Sequence, residues 1–107
     1  MLTLPIKRKW FDMIASGEKK EEYRDRSPYY RARLDKYFAK EFYIKLRAGY
    51  SSNCPYIVCR CSLSVGKGKK EWGAPDKDVY ILTITRIYRL EQYLLEGKLW
   101  VFILLLF

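Results

Sequence analysis

Apolar and polar residues along the chain follow the periods of short strands and short helices. Phe42, Ile44 and Leu46 alternate with other positions, which predicts a strand with one buried face. β-Branched and other apolar residues occupy both sides of residues 79–88, so we expect that strand to have neighbours on both edges. The predicted strands cover residues 2–6, 20–25, 41–47, 56–65 and 79–88, and the predicted helices cover residues 7–16, 28–39 and 89–98.

Turn residues mark where several of these elements begin and end. Gly17 follows the apolar residues of the first helix and suits the left-handed conformation that ends a helix. Ser27 is a favourable N-cap for the second helix, with Pro28 in the first helical position. Because proline cannot donate a ladder hydrogen bond, Pro5 predicts that the first strand lies at a sheet edge.

The turn from the first helix into the second strand carries the octet GEKKEEYR, with the spacing G-x-K-x-x-E-x-R. Lys19 lies in this turn, and the strand period sends Glu22 and Arg24 to one face. Lysine donates three hydrogen bonds, arginine offers a planar fork, and a carboxylate between them accepts from both. The three side chains are therefore predicted to converge. A solvated surface cluster, with a pair worth less than about 1 kcal/mol, is the alternative interpretation.

This octet resembles the signature of the ASCH domain, a small β-barrel family related to the PUA RNA-binding domains. The resemblance extends over residues 1–88, through the segments MLTLPIK, KWF, IKLRAGY and GKGKKEWG. It implies an α+β fold, a small PUA-like β-barrel of about five to six strands with two or three flanking helices. On this interpretation residues 1–90 form the ASCH (PUA-like) domain.

The resemblance implies RNA-related roles but more than one reaction. Some family members look like nucleoside amidohydrolases acting on N4-acetylcytidine, and ribonuclease activity is attributed to others. In the amidohydrolase group a threonine follows the matching lysine three positions later, and a downstream glutamate completes the catalytic set. Here Glu22 stands at the threonine position, and Glu71 is the downstream acid. Lys19, Glu22 and Glu71 are thus the catalytic candidates, although Glu22 opposes the lowered pKa that Lys19 would need.

Three functional hypotheses follow from these residues. The first is binding of RNA or a modified nucleotide in a cleft lined by Lys19, Glu22 and Arg24. The second is hydrolysis of N4-acetylcytidine-like nucleosides or RNA. The third is a non-catalytic accessory or interaction protein of phage type. Trp10 is expected in the core. The remaining ligand-binding candidates are Lys7, Arg47, Tyr50, Asn53 and Trp72.

The composition favours a polyanionic partner. The net charge of +9, from 21 Lys plus Arg and 12 Asp plus Glu, attracts nucleic acid in a salt-dependent manner. Cations interleave with aromatic residues at positions 7–11 and 29–33, a mixture typical of base stacking combined with phosphate contact. A merely soluble cationic surface is the alternative explanation.

The three cysteines and the absence of histidine limit metal chemistry. Cys59 and Cys61 share one strand face, but a zinc site there would need ligands from carboxylates or a partner. Ordinary buried thiols are therefore predicted, with no metal and no cofactor. An odd number of cysteines without a secretory signal indicates the cytoplasm.

The chain ends in an uninterrupted apolar run at residues 99–107. This run is about half the length that a helix needs to cross a bilayer, so no membrane span is predicted. An exposed apolar run promotes aggregation. We therefore expect residues 91–107, a short helix and this tail, to pack on the domain or on a second copy in a homodimer.

Overall fold

The computed structural model describes residues 1–88 of the chain. The predicted helix at 89–98 and the apolar tail at 99–107 lie outside the described residues, as does the self-association expected of the tail.

The described chain contains five strands and two α-helices. The strands are β1 (Leu2–Pro5), β2 (Glu21–Arg24), β3 (Phe42–Arg47), β4 (Tyr56–Gly66) and β5 (Val79–Tyr88). The α-helices are α1 (Arg8–Ala15) and α2 (Pro28–Leu34), and two short 3-10 helices cover Asp35–Tyr37 and Lys70–Trp72. None of these helices is long and apolar enough to cross a membrane.

One curled, mixed sheet in the form of a half-barrel joins the strands in the order β1-β3-β4-β5-β2. β1 runs parallel to β3, and the other neighbouring strands are antiparallel. The α+β class is as predicted, and Pro5 lies in an edge strand as expected. β5 lies between two strands, and Val79, Tyr80, Ile81 and Leu82 are buried on both of its faces.

The hydrophobic core lies on the inner face of this sheet, under the two helices. Ile44 and Leu46 point inward from β3, while Ile14 of α1 and Leu34 of α2 pack over the sheet in the same cluster. Each of these four side chains is fully buried. Burial of one such side chain stabilises the fold by about 1.5–3 kcal/mol. The predicted alternation of β3 is therefore confirmed.

The pairing of β4 with β5 is irregular at Thr85, an extra residue of β5 between the partners of Arg60 and Cys61. The register with β5 shifts between Arg60 and Cys61, and such a shift bends and twists a strand pair. Cys59 and Cys61 stay in the core as free thiols, as predicted. Burial raises the pKa of each thiol to about 12.

The second helix is shorter than its sequence pattern indicates. Its start is as predicted, since the Ser27 hydroxyl accepts a hydrogen bond from the Tyr30 backbone N–H at 3.4 Å. The predicted extension over residues 28–39 is wrong, because the α-helix ends at Leu34 and the chain tightens into a 3-10 turn. Tyr37 there stacks on Phe42 of β3, with ring centroids 4.1 Å apart. Packing against the sheet thus replaces the last helical turn.

Candidate functional site

The turn after α1 and the strand β2 bring Lys19, Glu22 and Arg24 together, and we call these three side chains the ionic cluster. Gly17, with φ +84°, ends α1 as predicted and lets the chain reverse. Lys19 Nζ lies 3.2 Å from one Glu22 carboxylate oxygen, and the other oxygen lies 2.7 Å from an Arg24 terminal nitrogen. Glu22 therefore bridges both cations.

The ionic cluster is buried on the inner face of the sheet. Lys19 is 1% exposed and Glu22 is 6% exposed. Lys19 Nζ also donates to the main-chain carbonyl of Trp72 at 2.7 Å. The rings of Tyr23 and Trp10 lie 4.6 and 5.3 Å from the same ammonium. An interior cation is thus held by one carboxylate, one carbonyl and two aromatic faces.

Arg24 connects the ionic cluster to the strand β1 and the helix α2. One terminal nitrogen donates to the Pro5 carbonyl at 2.8 Å, and the other donates to the Tyr30 hydroxyl at 3.1 Å. Its Nε is buried and has no hydrogen-bond partner among residues 1–88. A buried N–H without an acceptor lowers the stability of the fold by about 1–3 kcal/mol, so an acceptor at this atom would be stabilising.

Burial is the main influence on the pKa of Lys19. It lowers the pKa of the Lys19 ammonium, and the attraction of Glu22 only partly opposes this effect. Glu22 thus opposes the lowered pKa of Lys19, as expected, but burial outweighs it. For Arg24, burial alone would lower the pKa, but Glu22 and Tyr30 outweigh it and the pKa is raised. Two cations share one carboxylate in a largely dry environment.

A cover segment, residues 66–75, closes over the ionic cluster. A Cβ on Gly68 would lie 2.3 Å from the Tyr23 ring, and one on Gly73 would lie 2.8 Å from the Trp10 ring. The Lys69 backbone N–H donates to the Tyr23 hydroxyl at 3.0 Å. Burial raises the pKa of Tyr23 to about 12. The glycines thus allow the cover segment to approach the two rings that flank Lys19.

The remaining candidates of this region lie outside the ionic cluster. Glu71, the predicted downstream acid, is exposed, and the Trp72 carbonyl beside it is the group that reaches Lys19. The Trp72 ring is half-buried, with the Lys69 ammonium 4.4 Å from its centroid. Lys7 is exposed and precedes α1.

Arg47 and Asn53 belong to a different part of the molecule. Leu46 points into the core, so its neighbour Arg47 points to the outer face of the sheet. There, Arg47 and Asn53 line an open depression of about 490 Å³. Tyr50, in the same turn, is 88% exposed. The structure therefore does not bring these three candidates together with Lys19.

A smaller depression adjoins the ionic cluster where β5 runs on past β2. It measures about 170 Å³, and Lys19, Lys20 and Arg86 are among its lining residues. The apolar side of the depression comes from Ile84 and Ile87. Two further basic residues and two aliphatic residues therefore meet beside the buried Lys19.

Sequence reasoning missed two contributors to the cluster. Trp10 is a partly buried core residue, as expected, but it also faces the Lys19 ammonium. Tyr30 of α2 is not among the predicted site residues, yet its hydroxyl accepts a hydrogen bond from Arg24. Tyr30 is the third residue of α2, and no feature of the sequence places its hydroxyl beside Arg24. Among residues 1–88, no three His, Cys, Asp or Glu side chains gather as a metal-ligand set.

Comparisons with known proteins identify no family for this chain. No protein-family model, curated protein or solved structure matches the chain. The function is therefore argued from the ionic cluster and the surfaces of the sheet.

Proposed function

We propose that this chain is an RNA- or nucleotide-binding module of ASCH type with a PUA-like fold, and that the ionic cluster is its ligand site. The octet that resembles the ASCH signature supplies all three residues of the cluster. The half-barrel sheet and the basic composition support the same proposal.

The charge imbalance of the ionic cluster carries the proposal. Lys19 and Arg24 are both buried against Glu22, so the enclosed charges do not cancel if both cations are protonated. Burying an uncompensated charge is costly. The unsatisfied Nε of Arg24 adds a second demand for an acceptor. A phosphate or carbonyl oxygen of a nucleotide meets both demands.

Each member of the cluster has a distinct role in this proposal. Lys19 and Arg24 hold an anionic or carbonyl oxygen of the ligand, and Glu22 accepts from an exocyclic amine of the base. The ligand oxygen replaces the Trp72 carbonyl as the acceptor for Lys19, so the cover segment has to shift during binding. The Trp10 and Tyr23 rings supply flat apolar surfaces beside the base.

Titration with cytidine 5′-monophosphate tests this site. We expect Arg24→Lys, which keeps the charge but loses the planar fork, to weaken binding by at least tenfold in calorimetry. Arg31→Lys makes the same exchange at an exposed position of α2 and serves as the matched control. Thermal unfolding monitored by circular dichroism verifies that each variant is folded. Equal affinities for the two folded variants, or no binding by the parent chain, would reject the site.

The lowered pKa of Lys19 supports a second candidate function, hydrolysis of an N4-acylated cytidine. A neutral lysine amine can take a proton from water, whose hydroxyl then adds to the acyl carbon. The N4–acyl bond then breaks, the Lys19 ammonium returns its proton to N4, and acetic acid and cytidine are released. Burial beside Glu22 is the observation that favours Lys19 for this role.

Chromatography after incubation with N4-acetylcytidine separates hydrolysis from binding alone. We expect cytidine to form with the parent chain and to be lost in Lys19→Ala. Lys36→Ala removes an exposed cation and should keep full turnover. Cytidine formation at the same rate in both variants would exclude Lys19 as the base, and no formation by the parent chain would exclude this activity.

A further inference from the structure

The outer face of the sheet carries a basic and aromatic surface that the ionic cluster does not use. Register pairs Tyr43 with Arg60, and Arg47 with Tyr56, across β3 and β4. Arg60 is in turn opposite Arg86 of β5. We call the following residues the outer surface: Tyr43, Lys45, Arg47, Tyr56, Arg60, Arg86 and Tyr88.

The charge of the outer surface is strongly one-sided. Arg60 pairs with Glu41 at 2.7 Å. Lys45, Arg47 and Arg86 have no acidic partner within the described chain, residues 1–88. Three cations on one face without a carboxylate beside them attract a polyanion.

Aromatic rings lie among these cations. The Lys45 ammonium is 4.0 Å from the centroid of the Tyr56 ring. The Tyr43 ring lies 6.2 Å from Tyr88, and Arg86 lies 4.8 Å from that same Tyr88 ring. Tyr43 is 48% exposed, so part of its ring is open to a flat partner. Unpaired bases are such partners, whereas the bases of a duplex are already stacked on each other.

A nucleotide-sized depression lies at one end of this surface. It measures about 490 Å³ and is lined by Lys45, Arg47, Asn53 and Tyr56, among others. Arg47 donates one hydrogen bond to the Ser51 carbonyl, which fixes its guanidinium at the rim. Cations, an amide and an aromatic ring in one concavity are the groups that bind the phosphate, the base edge and the base face of a nucleotide.

We infer that the outer surface binds single-stranded nucleic acid. Lys45, Arg47 and Arg86 contact successive phosphates, an unpaired base stacks on Tyr43, and one nucleotide occupies the depression. Apart from Arg86, which also lines the small depression beside Lys19, this site lies on the opposite face of the sheet from the ionic cluster. It does not depend on the function proposed for that cluster.

Fluorescence anisotropy with a labelled 12-nucleotide single-stranded RNA tests the inference on the full chain. We expect the double variant Lys45→Gln/Arg47→Gln to weaken binding by at least fivefold. Loss of two phosphate contacts should also reduce the slope of log Kd against log salt by about 1.4, since each contact contributes roughly 0.7. Tyr43→Ser should weaken binding between about fivefold and a hundredfold through lost stacking.

Lys36→Gln/Lys40→Gln is the matched control, because it removes the same charge from exposed positions on the helical side of the molecule. This control should keep most of the affinity and the original salt slope. Equal losses in the two double variants would overturn the inference, because binding would then follow net charge alone. Equal affinity for duplex RNA of the same length would also overturn it. Failure of cytidine 5′-monophosphate to bind the ionic cluster would leave these outcomes unaffected.

Discussion

At the scale of single residues, Glu22 determines whether the ionic cluster can be buried. It is the carboxylate within reach of both Lys19 and Arg24, and all three lie on the inner side of the sheet. Breaking a buried ion pair on one side leaves an uncompensated interior charge. Removal of Glu22 leaves two such charges facing each other.

We expect Glu22→Gln to lower the free energy of unfolding by about 3–5 kcal/mol, measured by urea denaturation at neutral pH. The exposed Glu18→Gln exchange removes the same charge one position before Lys19 and should change stability by less than about 0.5 kcal/mol. A loss below about 1 kcal/mol for Glu22→Gln would mean that water reaches the cluster.

The thiols give a second prediction at this scale. Burial raises the pKa of Cys59 and Cys61 to about 12, so their thiolate forms are scarce below that pH. Cys54 is only half-buried. With a thiol-reactive aromatic disulfide at pH 8, we expect one thiol to react quickly in the folded chain and all three in urea. Cys54→Ser should abolish the fast phase; a fast phase that persists in this variant would contradict the burial of the core thiols.

At the scale of elements, the cover segment leaves the β4–β5 ladder after Gly66, and two of its later glycines closely approach two aromatic rings. Gly73, with φ +92°, lies against Trp10, and Gly68 lies against Tyr23. Side chains at these positions would push the segment off the rings that flank Lys19. The structure therefore couples the glycines of the segment to the environment of the ionic cluster.

Gly73→Ala should cost about 2–5 kcal/mol, because left-handed strain adds to a clash with Trp10. Gly17→Ala has a similar positive φ but no atom within 4 Å of the added Cβ. It should therefore cost only the strain, about 1–2 kcal/mol. Urea denaturation compares the two variants, and equal costs would show that the Trp10 contact does not hold the segment.

These elements also show what the sequence can and cannot predict. Gly17, Ser27 and the alternating residues of β3 determine structure among their sequence neighbours. The predicted helix end, N-cap and buried strand face are all present. The same-face placement of Glu22 and Arg24 follows from the strand period alone. The Trp72 carbonyl that binds Lys19 lies 53 positions away and belongs to the backbone. No side-chain pattern reports such a contact, and the resemblance points instead to the neighbouring Glu71, which is exposed.

At the scale of the whole molecule, the curled sheet separates two basic regions. The ionic cluster lies on the inner face beneath the helices, and the outer surface lies on the other side of β3, β4 and β5. One connection between them passes through the backbone, since Arg24 binds the Pro5 carbonyl while the Ile6 N–H donates to the Arg47 carbonyl at 2.8 Å. Arg86 is a second connection, because it belongs to the outer surface and also lines the depression beside Lys19. Exchanges of the Lys45 and Arg47 side chains keep the Arg47 carbonyl, so we expect them to leave this backbone connection intact.

This separation predicts additive effects on RNA binding. Combining Arg24→Lys with Lys45→Gln/Arg47→Gln should change the binding free energy of the 12-nucleotide RNA by the sum of the separate changes, within about 0.5 kcal/mol. Anisotropy titrations of the parent chain, the two variants and their combination give the four affinities. The outer variant alone should retain the parent affinity for cytidine 5′-monophosphate. A departure from additivity beyond about 1 kcal/mol would mean that the two faces respond to RNA as one coupled site.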